Sequence, residues 1–347
     1  MITSVGRGEM MLTCTSGGSE QDSDHTDSVV VGLVNNMPDA ALRTTERQFC
    51  QLLSEAARNC AVSLKLFFLP EIHRGHEAQT YLRGHYAGIG DLWGAHLDGL
   101  IVTGTEPRAA VLSDEPYWPG LAKLVDWAED HTTSSIWSCL AAQAAVLRRD
   151  GISRRRLPEK LFGVFDCTKA TEHPILAGAP PRWRVPHSRW NDLTEETLAE
   201  KGYSILSRSD AAGADLFAKR GNSLFVFLQG HPEYDGDALL HEYRRNVQRF
   251  LADQKDGYPE MPRGYFDGQT AAALAALKAR ALRHRDTDLL RGFPVVPAER
   301  IIECDWRHYA IQLYANWLSF LVERKYFGRR PPASIGSAGR PRSALAQ

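Results

Sequence analysis

The sequence predicts an α/β fold of three layers, with a mostly parallel, flavodoxin-like sheet between helices on both faces. Three observations carry this expectation. Short apolar runs alternate with segments of helical periodicity, the β-α-β pattern of a parallel sheet. The first run, Val29 to Val34, is continuous rather than alternating, as in a strand buried on both faces. Three chemically suggestive residues, Gly104, Cys139 and His231, fall just after such runs. In open α/β sheets that is where ligands gather.

The elements follow in order. Residues 1–27, rich in Ser, Thr, Gly and Asp, read as a disordered extension. After Val29 to Val34, a helix is expected from Thr45, with Thr45 and Gln48 spaced as a capping box. Phe49, Leu52, Leu53, Ala56 and Ala57 form its apolar face. Val62 to Leu69 and Gly99 to Thr103 are the next strands. Pro119 to His131 repeats Leu121, Leu124, Val125 and Ala128 at helical spacing. Ser134 to Ser138 is a strand, Leu140 to Leu147 a helix, and Leu224 to Leu228 another strand. Ala271 to Leu282 is an Ala-rich helix with a weak apolar face, expected at the periphery. Trp306, Tyr309, Ala310, Leu313, Trp317 and Leu321 mark a final helix packed on the body. Residues 329–347 read as a disordered tail, leaving 28–328 as a single α/β domain.

Composition narrows the function classes. A net charge of −1 leaves no electrostatic footprint for nucleic acid or an anionic membrane. The six cysteines form no CxxC pair or disulfide-like framework, which suits a reducing cytosol. With no signal pattern and no membrane-length apolar run, a cytoplasmic protein is expected. Neither GxxxxGK[ST] nor GxGxxG occurs, so phosphoryl and hydride transfer lack an anchor. No metal site is expected, because neither Cys139 nor His231 has a second ligand at CxxC or HxxxH spacing.

Cys139 stands where an apolar strand gives way to a helix. A helix start favours the thiolate through its dipole and unpaired N–H groups. The backbone N–H of Leu140 would supply half of an oxyanion hole. The same cysteine would equally suit a buried core position. Gly230-His231-Pro232-Glu233 adds a base, with a carboxylate two residues on to orient it. As a surface turn these residues would have no such role. Together they make a nucleophile, a base and an orienting group, the parts of a nucleophilic acyl-transfer site.

Longer stretches carry a resemblance. They are Asn35-Asn36-Met37-Pro38 with Thr45-Glu46-Arg47-Gln48-Phe49, Asp98 to Gly104, Tyr117-Trp118-Pro119, and Cys139 with Ala142-Gln143-Ala144-Ala145. Glu159 to Val164, Pro186-His187-Ser188-Arg189, Gly230 to Asp235 and Asn316-Trp317-Leu318 continue the series. In this order, over about residues 29–322, the chain resembles the homoserine O-acyltransferase family, as a divergent member. That resemblance implies a class I glutamine amidotransferase-like fold and a ping-pong transfer from acyl-CoA to the hydroxyl of L-homoserine, in methionine biosynthesis. It implies a thioester on Cys139, His231 as general base oriented by Glu233, and substrate contacts from Lys160, Ser188 and Arg245. An N–H near Gly104 would complete the oxyanion hole. Acyl-CoA is then a co-substrate, no cofactor is implied, and a homodimer is expected.

Some positions depart from the family pattern. Gly104-Thr105-Glu106 replaces the usual Gly-Ala-Pro, and the segment of about residues 259–302 is longer than usual. Arg108 stands where the family's residue tracks the acyl donor. A cation there would pair with the carboxylate of a succinyl group, which favours succinyl-CoA over acetyl-CoA. A glutamine amidotransferase-like hydrolase, or an acyltransferase for another hydroxy amino acid, remains the alternative.

Overall fold

The computed structural model describes residues 2–12, 28–58, 60–296 and 306–328. In chain order its strands are β1 (Ile2–Gly6), β2 (Glu9–Leu12), β3 (Ser28–Val34), β4 (Ala61–Phe68), β5 (Ala87–Gly88), β6 (Gly99–Val102), β7 (Ser134–Ser138), β8 (Arg155–Lys169), β9 (Arg182–Asp192), β10 (Ser204–Ser209), β11 (Gly213–Arg220) and β12 (Leu224–Leu228). The α-helices are α1 (Asp39–Ala56), α2 (His76–His85), α3 (Ile89–Leu92), α4 (Trp118–His131), α5 (Leu140–Asp150), α6 (Glu195–Glu200), α7 (Ala238–Leu251), α8 (Gly268–Arg283) and α9 (Trp306–Tyr326).

The strands join one sheet in the order β1-β2-β4-β3-β6-β7-β12-β11-β10-β8-β9, with β5 beside β4. Its centre, β4-β3-β6-β7-β12, is parallel. Both flanks are antiparallel, so the sheet as a whole is mixed. The central strands are the apolar runs of the sequence, and β6, β7 and β12 are buried at every position. Helices α1 and α9 cover one face. Helices α4 and α5 cover the other. The expected layers are therefore present, and burial of both faces explains why the central runs do not alternate. The antiparallel flank was less legible because β8 opens on exposed Arg155 and Arg156 and becomes buried only from Phe162.

Three expectations are corrected. Helix α1 starts at Asp39 after an extended Pro38, six residues before Thr45. Thr45 and Gln48 are buried inside the helix and cap nothing. Ala40, Ala41 and Leu42 are good helix formers, and Leu42 buries its side chain in the core, which draws the helix back to the proline.

The N-terminal segment is not wholly disordered. β1 and β2 form a hairpin, and β2 runs antiparallel to β4 from Glu9↔Lys65 to Leu12↔Val62. An unpaired edge on β4 would expose a row of backbone donors and acceptors, and β2 satisfies them while burying Leu12. Residues 13–27 and 329–347 lie outside the described residues.

The extended segment after α7 also carries a core. Leu274, Leu277 and Ala281 of α8 pack with Tyr243 and Val247 of α7, Phe162 and Val164 of β8, and Trp306. The helix is thus buried on one face against the element that walls the site. Residues 297–305 lie outside the described residues.

Candidate active site

Parallel pairing brings the ends of β6, β7 and β12 side by side, with Val102 opposite Trp137 and Leu228 opposite Ser138. The chain leaves these strands at Thr103-Gly104, Cys139 and Gln229-Gly230-His231. Sequence neighbours of three separate strands therefore meet at one edge.

Cys139 occupies the N-cap position of α5 with φ 53° and ψ −112°. Its backbone N–H donates to the Leu228 carbonyl at 2.7 Å, and its carbonyl accepts from the Gln143 N–H at 3.2 Å. A cysteine held at positive φ is strained by about 1–3 kcal/mol. The turn is so tight because strand β7 feeds directly into α5, which holds the sulfur over the helix N-terminus.

Gly104 abuts this turn. A Cβ at residue 104 would lie 3.1 Å from both the backbone nitrogen and the Cβ of Leu140. The absence of a side chain keeps the space beside the Leu140 N–H open. The two positions expected to form the oxyanion hole are thus in contact across the strand ends.

His231 is set by its backbone and by its ring. Its N–H donates to the Pro186 carbonyl of β9 at 2.8 Å. Gly230 allows this approach, since a Cβ there would come 2.5 Å from Val185 Cγ1 and 2.6 Å from Asp215 Oδ1. The ring stacks on Tyr234 with centroids 4.3 Å apart. Nδ1 pairs with Glu233 Oε1 at 2.8 Å, and the Ser138 hydroxyl reaches the same oxygen at 3.5 Å. Both His231 and Glu233 are buried. With Nδ1 held by the carboxylate, the other ring nitrogen is left for the sulfur.

The electrostatics follow from this arrangement. Burial is the largest influence on Cys139 and pushes its thiol up. His231, by charge and by hydrogen bond, with a smaller pull from Arg189, brings it below the usual thiol range. For His231, burial disfavours the charged ring, but Glu233 and Cys139 outweigh it and raise the imidazole. Both shifts favour the thiolate–imidazolium form of the pair.

A cavity of about 710 Å³ opens over these residues. Its walls come from the start of α1, the loop after β6, the start of β8, β9 and α7. Lys160 of β8, Ser188 of β9 and Arg245 of α7 all line it, as does Gly104. The first two converge on a residue that sequence reasoning missed, Glu242 of α7. Lys160 forms a short ion pair with Glu242, and the Ser188 hydroxyl donates to Glu242 Oε1 at 2.8 Å. Burial pushes the Glu242 carboxyl up, while Lys160, Ser188 and Arg245 together hold it below its ordinary value. The available signal was the spacing of Glu242 and Arg245, three apart on one helix face.

Arg108 does not join the site. It is exposed and absent from the cavity wall. Its backbone N–H donates to Oε1 of buried Glu115 at 2.5 Å, beside that of Ala109 at 2.6 Å. The loop wraps around that carboxylate and leaves the Arg108 side chain outside. Arg108 is thus the one expected site residue that the structure leaves off the cavity wall.

Among the described residues, one group offers potential metal ligands: Cys167, His187 and Asp215, buried with ligand atoms within 4.8 Å of one another. None of the three lines the cavity. Also among the described residues, no helix is long and apolar enough to cross a membrane.

Comparison with known proteins points to one family. A family model described as homoserine O-succinyltransferase matches residues 10–326. A homoserine O-succinyltransferase of Methylorubrum extorquens is 46% identical over 85% of this chain and 87% of its own length. That of Rhodopseudomonas palustris is 47% identical over 85% and 88%. A third, of Bradyrhizobium japonicum, is 44% identical over 89% and 94%. With relatives this similar along most of both chains, and with a family model matching most of this one, the chain belongs to the homoserine O-succinyltransferase family.

Proposed function

We propose that the protein transfers a succinyl group from succinyl-CoA to the hydroxyl of L-homoserine, through a thioester on Cys139. The observation that carries this reading is the Cys139–His231–Glu233 constellation in a cavity also lined by Lys160, Ser188, Glu242 and Arg245. Family membership supports the two substrates. On the same reading the enzyme serves methionine biosynthesis as a cytoplasmic homodimer, which rests on the family alone.

The chemistry runs in two halves. The Cys139 thiolate attacks the thioester carbonyl, and the oxyanion lies against the Leu140 N–H and the Gly104 edge. As the tetrahedral intermediate collapses, the carbon–sulfur bond to CoA breaks, and the His231 imidazolium protonates the leaving thiolate. His231, now neutral, takes the proton of the homoserine hydroxyl as that oxygen attacks the acyl-enzyme. Collapse releases O-succinyl-homoserine and restores the thiolate beside the imidazolium. Glu233 holds one ring tautomer through both halves.

The acceptor's two charged groups find opposite partners on α7. Arg245 suits a bidentate clamp on the carboxylate. Glu242, held ionised by its cationic neighbours, suits the ammonium group.

The test is direct. The chain is incubated with succinyl-CoA without acceptor, and intact mass is measured. A single succinyl adduct on Cys139, discharged by homoserine and much more slowly by serine or water, is expected. Hydrolysis of glutamine with no adduct from either succinyl- or acetyl-CoA would instead support the amidotransferase-like reading. A second outcome follows from the oxyanion hole. Gly104→Ala is expected to lower kcat by roughly 10- to 100-fold by crowding the Leu140 N–H. Steady-state kinetics beside a thermal melt would check it, and an unchanged kcat would put the oxyanion elsewhere.

A further inference from the structure

We infer that Arg154, in place of Arg108, receives the distal carboxylate of the succinyl group while that group is carried on Cys139. This inference rests on the proposed succinyl transfer and adds to it the residue that selects the donor.

The argument begins with the cations of the cavity wall. Lys160 is tied to Glu242, and Arg189 to Asp192 at 2.6 Å. Arg249 lies 4.0 Å from Glu106. Arg245 faces Glu242, and exposed Arg156 stands over the Trp190 ring at 4.4 Å. Lys255 also lines the wall but is exposed, and half-buried Arg245 lies by Glu242 on the side proposed for the acceptor. Arg154 is half-buried, lines the cavity, and forms no ion pair among the described residues.

Its guanidinium has only weak partners. One Nη donates to the Gln143 side-chain oxygen at 3.4 Å, the other to the Ala110 carbonyl at 3.5 Å. Both lie at the long limit of hydrogen-bond geometry. Glu115, the carboxylate that acts on it, gives one oxygen to the Arg108 and Ala109 N–H groups and stays beyond ion-pair distance. Burial lowers the Arg154 guanidinium. Nearby, the Tyr117 hydroxyl is buried without a hydrogen-bond partner among the described residues. A half-buried, underpaired cation on the wall of the nucleophile's cavity is a site for an anion.

The chemistry of the donor supplies that anion. A succinyl group attached through one carbonyl carries a second carboxylate at the far end of a two-carbon spacer. A planar guanidinium binds such a carboxylate through two parallel hydrogen bonds. Gln143 lies one turn into α5 from Cys139, so the residue that contacts Arg154 shares the helix that begins at the nucleophile. The acceptor cluster of Glu242 and Arg245 comes from α7 instead, so donor and acceptor charges have separate walls.

The experiment compares two donors on three proteins. Transfer to homoserine is measured with succinyl-CoA and with butyryl-CoA, which has the same chain length and no distal carboxylate. Arg154→Gln is expected to lower kcat/KM for succinyl-CoA by roughly 10- to 100-fold. Its value for butyryl-CoA should stay within about twofold or rise, and Arg154→Lys should recover part of the succinyl preference. Equal losses with both donors would overturn the assignment and show a structural role. An unchanged succinyl-to-butyryl ratio would overturn it as well. If Cys139 of the native protein takes no succinyl group at all, the proposed transfer itself fails and this inference falls with it.

Discussion

Cys139→Gly is expected to abolish transfer, with kcat falling by roughly 10⁴-fold or more, while making the fold more stable. The two effects share one cause. At φ 53° and ψ −112° the cysteine sits where a side chain clashes with its own backbone and glycine does not. Removing the side chain should stabilise the protein by about 1–2 kcal/mol. That gain is smaller than the full strain, because glycine also makes the unfolded chain more flexible. Thermal melts and an acyl-transfer assay on the same preparation would check both halves. A variant less stable than the native protein would mean that the turn is relaxed and the cysteine unstrained.

The second large effect lies at His231. Burial alone pushes the Cys139 thiol up, and His231 is the main influence that reverses it. His231→Asn should therefore move the thiol above its ordinary range, because desolvation is then opposed only by weaker charges. The pH at which the thiolate forms should then be higher in the variant than in the native protein. Alkylation of Cys139 by iodoacetamide, followed against pH, reads this directly. The sign is fixed by the partner: a lowered thiol keeps its charge as pH falls, and a raised one gives it up. Acyl transfer should fall by roughly 10³- to 10⁴-fold, since base and thiolate are lost together. An alkylation profile that does not move would show that the helix start, and not the imidazole, holds the thiolate.

Both effects concern the part of the site that is legible in the amino-acid sequence. Cys139 stands out because an apolar run, a cysteine and an Ala-rich segment are adjacent in the chain. His231 and Glu233 stand out because base and orienting carboxylate are two residues apart. Both readings need only local information. Lys160, Ser188 and Arg245 came from the family resemblance, and all three do line the cavity. Their meeting point, Glu242, was missed because Lys160 is 82 positions away in the chain and Ser188 is 54.

Where structure and expectation part, the origin is the same. Thr45 and Gln48 have capping-box spacing, yet burial of Leu42 and the proline before Asp39 decide where α1 begins. Residues 1–27 read as polar and irregular as a string, but an open sheet edge on β4 gives residues 9–12 a partner. Arg108 had a suitable charge at a suggestive position. Its loop, however, turns around buried Glu115.

The sequence by itself determined the reacting groups and the strand ends that present them, because those depend on residues adjacent in the chain and on the apolar runs that become central strands. Only the tertiary structure decided which charges face those groups. The cavity is walled by α1, β8, β9 and α7, and whether a cation points inward depends on the packing of elements far apart in the chain. By that criterion Arg108 is excluded from the cavity and Arg154 is brought to it.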